Sequence, residues 1–278
     1  MNESPLDRNL PPSDPRSMVT PSPWTCFATA VQFLTRLPIA LPAGKSSTFY
    51  ALAFRHSLVF YPAVGGLIGL VTAIVFCALL FLGVTPWIAA FVAVGAEAML
   101  TGALHEDGFA DTCDALGGCW SRDRALEILR DSRLGTYGTL ALVLGVGARV
   151  AALATLGHFG YLWSLVAIVA AGSLSRLAIL ALVATTSPVA DRVSQANAVA
   201  GAVTRSSFVR SMLWSAPLWG SWIIIDASVA WTSIGFAALT WFGYRRMIVR
   251  RLGGTTGDLL GGCAFVTQLM LTIGATLR

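Results

Sequence analysis

Residues 101–118, TGALHEDGFADTCDALGG, bring His105, Glu106, Asp107, Asp111 and Asp114 together at the end of an apolar stretch, in a chain where only 12% of residues are charged. Read as a continuation of the helix that enters at Pro86, Asp107, Asp111 and Asp114 stand at i, i+4 and i+7 and share a stripe about 60° wide. Three carboxylates held that close repel one another unless a cation sits between them. Hard oxygen donors with no thiolate or imidazole among them suit Mg2+, which keeps several waters and bridges carboxylates to substrate phosphates. His105 falls roughly opposite the stripe, so it serves as a base only if Gly108 bends the helix and brings it round. A merely solvated helix end fits less well, because alanine, phenylalanine and leucine surround the acids and no lysine or arginine lies within the motif.

Two further polar motifs flank apolar segments. SRDRALEILRDSRLGTYG (121–138) reads as an amphipathic surface helix, capped by Ser121, with an apolar face of Ala125, Leu126, Ile128 and Leu129. Its Arg130, Asp131, Ser132 and Arg133 mix anion and metal ligands, with local pairing of Glu127 to Arg124 or Arg130 as the equal alternative. RRLGGTTGDLLGG (250–262) opens the last apolar segment with a glycine turn and sets Gly257 and Asp258 near a helix start. Its backbone N–H groups suit a phosphate, although no G-K-[ST] follows as in a P-loop. Arg36, Glu97, Arg149 and Arg176 lie within or beside apolar segments. Residues of that kind face a bundle interior or a watery cavity. Arg176 is placed to bind an anion in a cytoplasm-facing cavity, Arg149 is expected to snorkel outward, and Glu97 has no partner evident from its neighbours. The five cysteines show no C-x-x-C pair and imply neither a disulfide framework nor a zinc site.

The elements that position these motifs belong to a membrane. With 278 residues, 55% of them hydrophobic, and a mean hydropathy of +0.70, the chain reads as an all-α, polytopic integral membrane bundle. Its net charge of +5 comes from arginines scattered between apolar runs, which fits loop charges and a lipid bilayer as partner rather than a nucleic acid. Residues 1–23 form a Pro-rich tail expected to be disordered, and 24–42 an interfacial or re-entrant helix. Spans are expected near 57–82, 87–104, 137–156, 161–183, 211–225, 229–243 and 259–277, about seven in all. The segment 24–278 shows no internal repeat and reads as a single membrane-embedded domain.

The basic residues set the orientation. Lys45, Arg55, Arg122, Arg124, Arg130, Arg133, Arg192, Arg205, Arg210, Arg245, Arg246, Arg250 and Arg251 all fall in loops that alternate to one side. The opposite loops, 83–86, 157–161 and 225–228, hold no lysine or arginine, so the long loops are cytoplasmic by the positive-inside rule. Asp107, Asp111, Asp114, Asp131 and Asp258 share that side, and chemistry performed by them faces the cytoplasm.

The ordered segments FLTRLPIALP, FYPAVGGLIG, ALHEDGFADTCDALGG, ALEILRDSRLGTYG and RLGGTTGDLLGG resemble the cobalamin synthase family, the adenosylcobinamide-GDP ribazoletransferases, from about residue 24 to the end. The most specific elements are H-x-D-G-x-x-D-x-x-D (His105, Asp107, Gly108, Asp111, Asp114) and R-D-S-R-x-G (Arg130, Asp131, Ser132, Arg133, Gly135). The resemblance implies a magnesium-dependent enzyme of the bacterial inner membrane. It joins adenosylcobinamide-GDP to α-ribazole or its 5′-phosphate and releases GMP, and it leaves room for a homo-oligomer or for association with other late cobalamin enzymes. On that reading Asp107, Asp111, Asp114 and Asp131 hold the metal and His105 completes the catalytic set. Arg36, Arg130, Ser132, Arg133, Arg176, Gly257 and Asp258 bind substrate.

Two other functions are weighed against it. A phospholipid-type alcohol phosphotransferase resembles D-x-x-D-G-x-x-A-R, whereas here Gly108 precedes the D-x-x-D pair and no A-R follows. A cation transporter distributes acids through the membrane depth, whereas these gather at one face. Reporter fusions at residues 120 and 200 are expected to give cytoplasmic signals, and a periplasmic signal at either overturns both the topology and the cytoplasmic site.

Overall fold

The computed structural model describes residues 20–131, 133–189 and 195–278, so Ser132, Asp191, Arg192 and most of the Pro-rich tail lie outside the described residues. Helix α1 (Pro23–Leu34) starts on a proline, with the Ser22 hydroxyl accepting from Thr25 N at 3.1 Å. α2 (Ser47–Ser57) runs through a 3-10 turn into α3 (Tyr61–Phe81). Then follow α4 (Pro86–Thr101), α5 (Leu104–Gly117), α6 (Arg122–Ile128), α7 (Thr136–Leu156), α8 (Tyr161–Thr185) and α9 (Gln195–Val199). α10 (Arg205–Ile225), α11 (Ala227–Leu252) and α12 (Gly257–Gly274) complete the chain. The all-helical expectation holds.

By length and composition alone, the described residues do not confirm the seven spans expected. Four helices are long and apolar enough to cross a membrane: the 35-residue run Ser47–Phe81, α7 with its terminal 3-10 turn, α8 and α12. Joined α4 and α5 make a fifth, bent by 91°. α10 and α11 are long enough, at 21 and 26 residues, but polar residues dilute them. Ser206, Ser207, Arg210, Ser211 and Ser215 lie along the first, and four arginines close the second. α8 is the most enclosed of the spanning helices and packs on α3, α10 and α12, while α12 packs in turn on α5 and α11.

The acidic motif does not continue α4. Gly102 and Ala103 take left-handed φ values of 68° and 57° in succession, and Ala103 is the one non-glycine residue with positive φ among the described residues. For an alanine that conformation costs about 1–2 kcal/mol. It is held by Ala103 N donating to Ala98 O (2.8 Å), while its own carbonyl accepts from Asp107 N (2.9 Å). α5 therefore starts afresh, and the bend lies ahead of His105 rather than at Gly108.

The surface helix is shorter than the 121–138 expected. Ser121 caps α6 through Arg124 N as anticipated, and Ala125, Leu126 and Leu129 are buried. The helix nevertheless ends at Ile128, and Gly135 caps α7. Arg130, Asp131 and Arg133 thus lie in a connection rather than on a helix. The glycine turn before α12 is tied to the end of α8, with Val189 N donating to Thr255 O and Thr255 N to Ser187 O, both at 3.0 Å.

α5 crosses α12 where glycine meets glycine. A Cβ on Gly108 would collide with the carbonyl of Asp258 and lie 3.0 Å from Gly262 N and 3.1 Å from Gly261 Cα. The neighbouring atoms are backbone and cannot swing away. Gly108→Ala is expected to cost about 1–3 kcal/mol, read as a lowered thermal midpoint in detergent. An unchanged midpoint would mean that the two helices are not in contact here.

Candidate active site

Between α1, α2, α3, α5, α8, α9 and α12 lies a cavity of about 290 Å³. His105, Asp107 and Gly108 line it from α5, and Gly257, Asp258 and Gly261 from α12. The crossing at Gly108 is what brings Asp107 and Asp258, far apart in sequence, to one wall. Asp258 stands in the first turn of α12, where Thr256 caps the helix through Leu259 N and its hydroxyl lies 3.4 Å from Asp258 Oδ2. Of the residues singled out in the sequence, His105, Asp107, Gly257 and Asp258 therefore meet. No arginine or lysine is among the described lining residues.

The acid stripe is present along α5, but its members face different neighbours. Asp107 is exposed, Asp111 half-buried and Asp114 buried. Asp114 accepts from Gly135 N through Oδ2 and from Gly138 N through Oδ1, each at 2.8 Å. These N–H groups belong to the start of α7, where a carboxylate satisfies donors that the helix leaves open and faces the positive end of its dipole. Among the described residues no three His, Cys, Asp or Glu side chains come together as a metal site. A shared helix face aligns Cβ atoms, and the partner at each turn decides where the carboxylate points.

The other sequence-derived candidates stand apart from the cavity. Asp131 is gripped by Arg133, whose Nε donates to Oδ1 at 2.9 Å and whose Nη2 donates to Oδ2 at 2.6 Å. Those hydrogen bonds hold the Asp131 carboxyl down at about 2. Glu127 pairs with Arg124 at 2.7 Å, and Arg130 is exposed. Arg36 donates its backbone N–H to Leu100 O (2.8 Å), and its exposed side chain lies over Gly102 at the α4–α5 break.

Behind the cavity runs a buried polar network. Arg149 does not snorkel outward; its Nη2 lies 2.5 Å from Glu97 Oε2 and its Nη1 3.4 Å from Glu106 Oε1. Snorkelling fails because Arg149 sits where α7 faces two acids inside the bundle. Glu97 also accepts from Thr72 Oγ1 (2.7 Å) and Gln268 Nε2 (3.1 Å), so its partners come from helices remote in sequence. Gln268 Oε1 accepts from Arg176 Nη1 at 2.6 Å. Arg176 is fully buried and offers its fork to Gln268, Ser175 and the Gly172 carbonyl rather than to the cavity.

Arg176 also decides what His105 can do. Its Nη2 lies 3.4 Å from His105 Nδ1. A guanidinium has donors only, so the nitrogen facing it must carry the lone pair. The proton then belongs on Nε2, which is buried and has no protein partner. His105 is thereby a hydrogen-bond donor, and its acceptor nitrogen is already engaged. Glu106, Thr72 and Gln268 were not among the sequence candidates; the last is a lone amide in an apolar helix, a signal that polar residues within spans are worth following.

A family model described as cobalamin-5-phosphate synthase matches residues 26–276. An adenosylcobinamide-GDP ribazoletransferase of Rhizobium etli (strain CIAT 652) is 37% identical over 253 residues, 87% of this chain and 92% of that protein. One from Azorhizobium caulinodans is 37% identical over 248 residues, covering 88% and 92%. One from Allorhizobium ampelinum is 47% identical over 128 residues, an alignment that spans 46% of this chain and 48% of its relative. No solved structure matches. The matched segment takes in α1 through α12 with the cavity and the network behind it, and the chain belongs to the cobalamin-5-phosphate synthase family.

Proposed function

We propose that this chain performs the reaction for which its relatives are named, transfer of ribazole to adenosylcobinamide-GDP, in the inner membrane with the site open to the cytoplasm. The observation that carries this reading is the meeting of His105, Asp107, Gly257 and Asp258 on one cavity wall. A ribose hydroxyl of the acceptor, α-ribazole or its 5′-phosphate, forms a P–O bond to the phosphorus on the cobinamide side. The P–O bond to GMP breaks, and GMP leaves with the electron pair.

Asp107 and Asp258, hard oxygen donors on one wall, are the residues that would hold a magnesium ion. Such an ion would supply neutralisation of charge on the pyrophosphate and the leaving group. His105 donates its Nε2–H to a substrate oxygen. The open N–H groups at the start of α12, by Gly257, face a phosphate. Because Nδ1 of His105 is turned to Arg176, the hydroxyl proton goes to a wall carboxylate rather than to the imidazole. Arg36, exposed beside the α4–α5 break, takes the pyrophosphate from the cavity rim, and Arg176 is a positioning residue for His105.

GMP release from adenosylcobinamide-GDP and α-ribazole by purified protein in lipid tests the reading and requires magnesium. Asp107→Asn and Asp258→Asn each remove most turnover with little change in thermal midpoint. Asp114→Asn lowers the midpoint, losing about 1 kcal/mol from the α7 terminus. Full activity in both wall variants at limiting magnesium would overturn the metal assignment.

The two arginines separate by kinetic parameter. Arg36→Ala raises the donor KM several-fold over that of the acceptor, whereas Arg176→Lys lowers kcat with both KM values nearly unchanged, because it loosens His105 without touching substrate. A rise in donor KM on Arg176→Lys would mean that this guanidinium reaches the pyrophosphate.

A further inference from the structure

Beside the wall just described, the cavity is lined by Phe33 of α1, Phe54 of α2 and Tyr61 of α3 together with Leu58, Ile179 and Val199, an aromatic part that carries no charged group. The Phe33 ring lies 5.9 Å from Tyr61 and nearly parallel to it, at 17°, and 5.1 Å from Phe54 at 65°. Phe33 and Phe54 are only half-buried. The single hydroxyl among these rings is that of Tyr61, a buried residue. We propose that this aromatic part seats the planar base of the acceptor nucleoside, with its ribose directed at Asp107 and Asp258, and that it recognises the base by its face rather than by its edges.

Three features select this occupant. At about 290 Å³ the cavity stands at the lower limit of pockets that enclose a small organic molecule, room for a nucleoside and far too little for a corrin ring. Of the two substrates only the acceptor fits inside, and the donor must approach from the rim with its pyrophosphate leading. An acceptor with an apolar planar base and a polar ribose matches a cavity lined by both rings and carboxylates. Stacking tolerates many bases because each has a π-face, and of the three rings only the buried Tyr61 carries a hydroxyl by which a base edge could be read. The inference rests on the transferase reading and adds to it where the base sits and how it is chosen.

The experiment measures KM for donor and acceptor separately, in lipid, for the wild type, Phe33→Leu and Phe54→Leu, with thermal midpoints alongside. Each substitution is expected to raise the acceptor KM about tenfold, the loss of one stacking contact, and the donor KM less than twofold. Phe54→Tyr, which keeps the ring, gives a smaller rise than Phe54→Leu. The wild type should accept α-ribosides of benzimidazole and of adenine with KM values within a few-fold of each other, and a methyl riboside without a base only at far higher concentration. Unchanged acceptor KM in both leucine variants, as a lipid tail in the cavity would give, overturns the proposal. So does a methyl riboside used as well as α-ribazole, a comparison that needs no variant to fold. If the wild type releases no GMP with any acceptor, the transferase reading itself fails. Turnover with donor-selective defects in the leucine variants overturns the base site alone.

Discussion

Two glutamates and two arginines buried among apolar helices constrain everything else in this structure. Glu97, Glu106, Arg149 and Arg176 are each at most 8% exposed. Stranding one of them by removing its partner costs about 3–5 kcal/mol in a protein interior. The hydrogen bonds and ion pairs of the cluster form only when Thr72 of α3, Glu97 of α4, Glu106 of α5, Arg149 of α7, Arg176 of α8 and Gln268 of α12 stand in one mutual arrangement. Apolar packing alone tolerates small slides of one helix on another, since aliphatic contacts are not directional. Hydrogen bonds to buried charges do not, and the six helices are thereby held in register beneath the cavity.

α5 converts that register into a site. Its left-handed start at Gly102 and Ala103 turns it away from α4, so its first turn faces the network and not the bilayer. From there its residues divide by direction: Glu106 and His105 reach into the cluster, Gly108 lets α12 approach, Asp107 looks into the cavity and Asp114 holds the start of α7. A short helix thus joins the interior, the cavity wall and the start of α7, which explains why so many polar residues gather in it.

Composition and basic-loop pattern were enough to read an all-helical membrane protein, whereas the motifs grouped Asp107 with Asp111, Asp114 and Asp131, and the cavity instead sets it beside His105, Gly257 and Asp258. What they could not convey was direction. A helical wheel places Asp107, Asp111 and Asp114 on one face, but whether Asp114 meets a metal or the N-terminus of α7 depends on Gly135, 21 residues later, and the helix it caps. The pairing of Glu97 with Arg149 is likewise invisible, since nothing local links residues 52 apart, and it appears only when α4 packs on α7. The span count suffered from the converse problem: apolar pieces of α10 and α11 look like spans until the serines and arginines that share their helices are included.

The charges of the interior and of the cavity wall fit together in one further respect. With His105 neutral, the buried cluster holds two positive and two negative groups and presents little net charge to the cavity. The described part of the wall carries Asp107 and Asp258. Because the two arginines of the cluster are balanced by Glu97 and Glu106, the interior adds no net attraction for a pyrophosphate, and on the proposed reaction that attraction comes from outside the cluster.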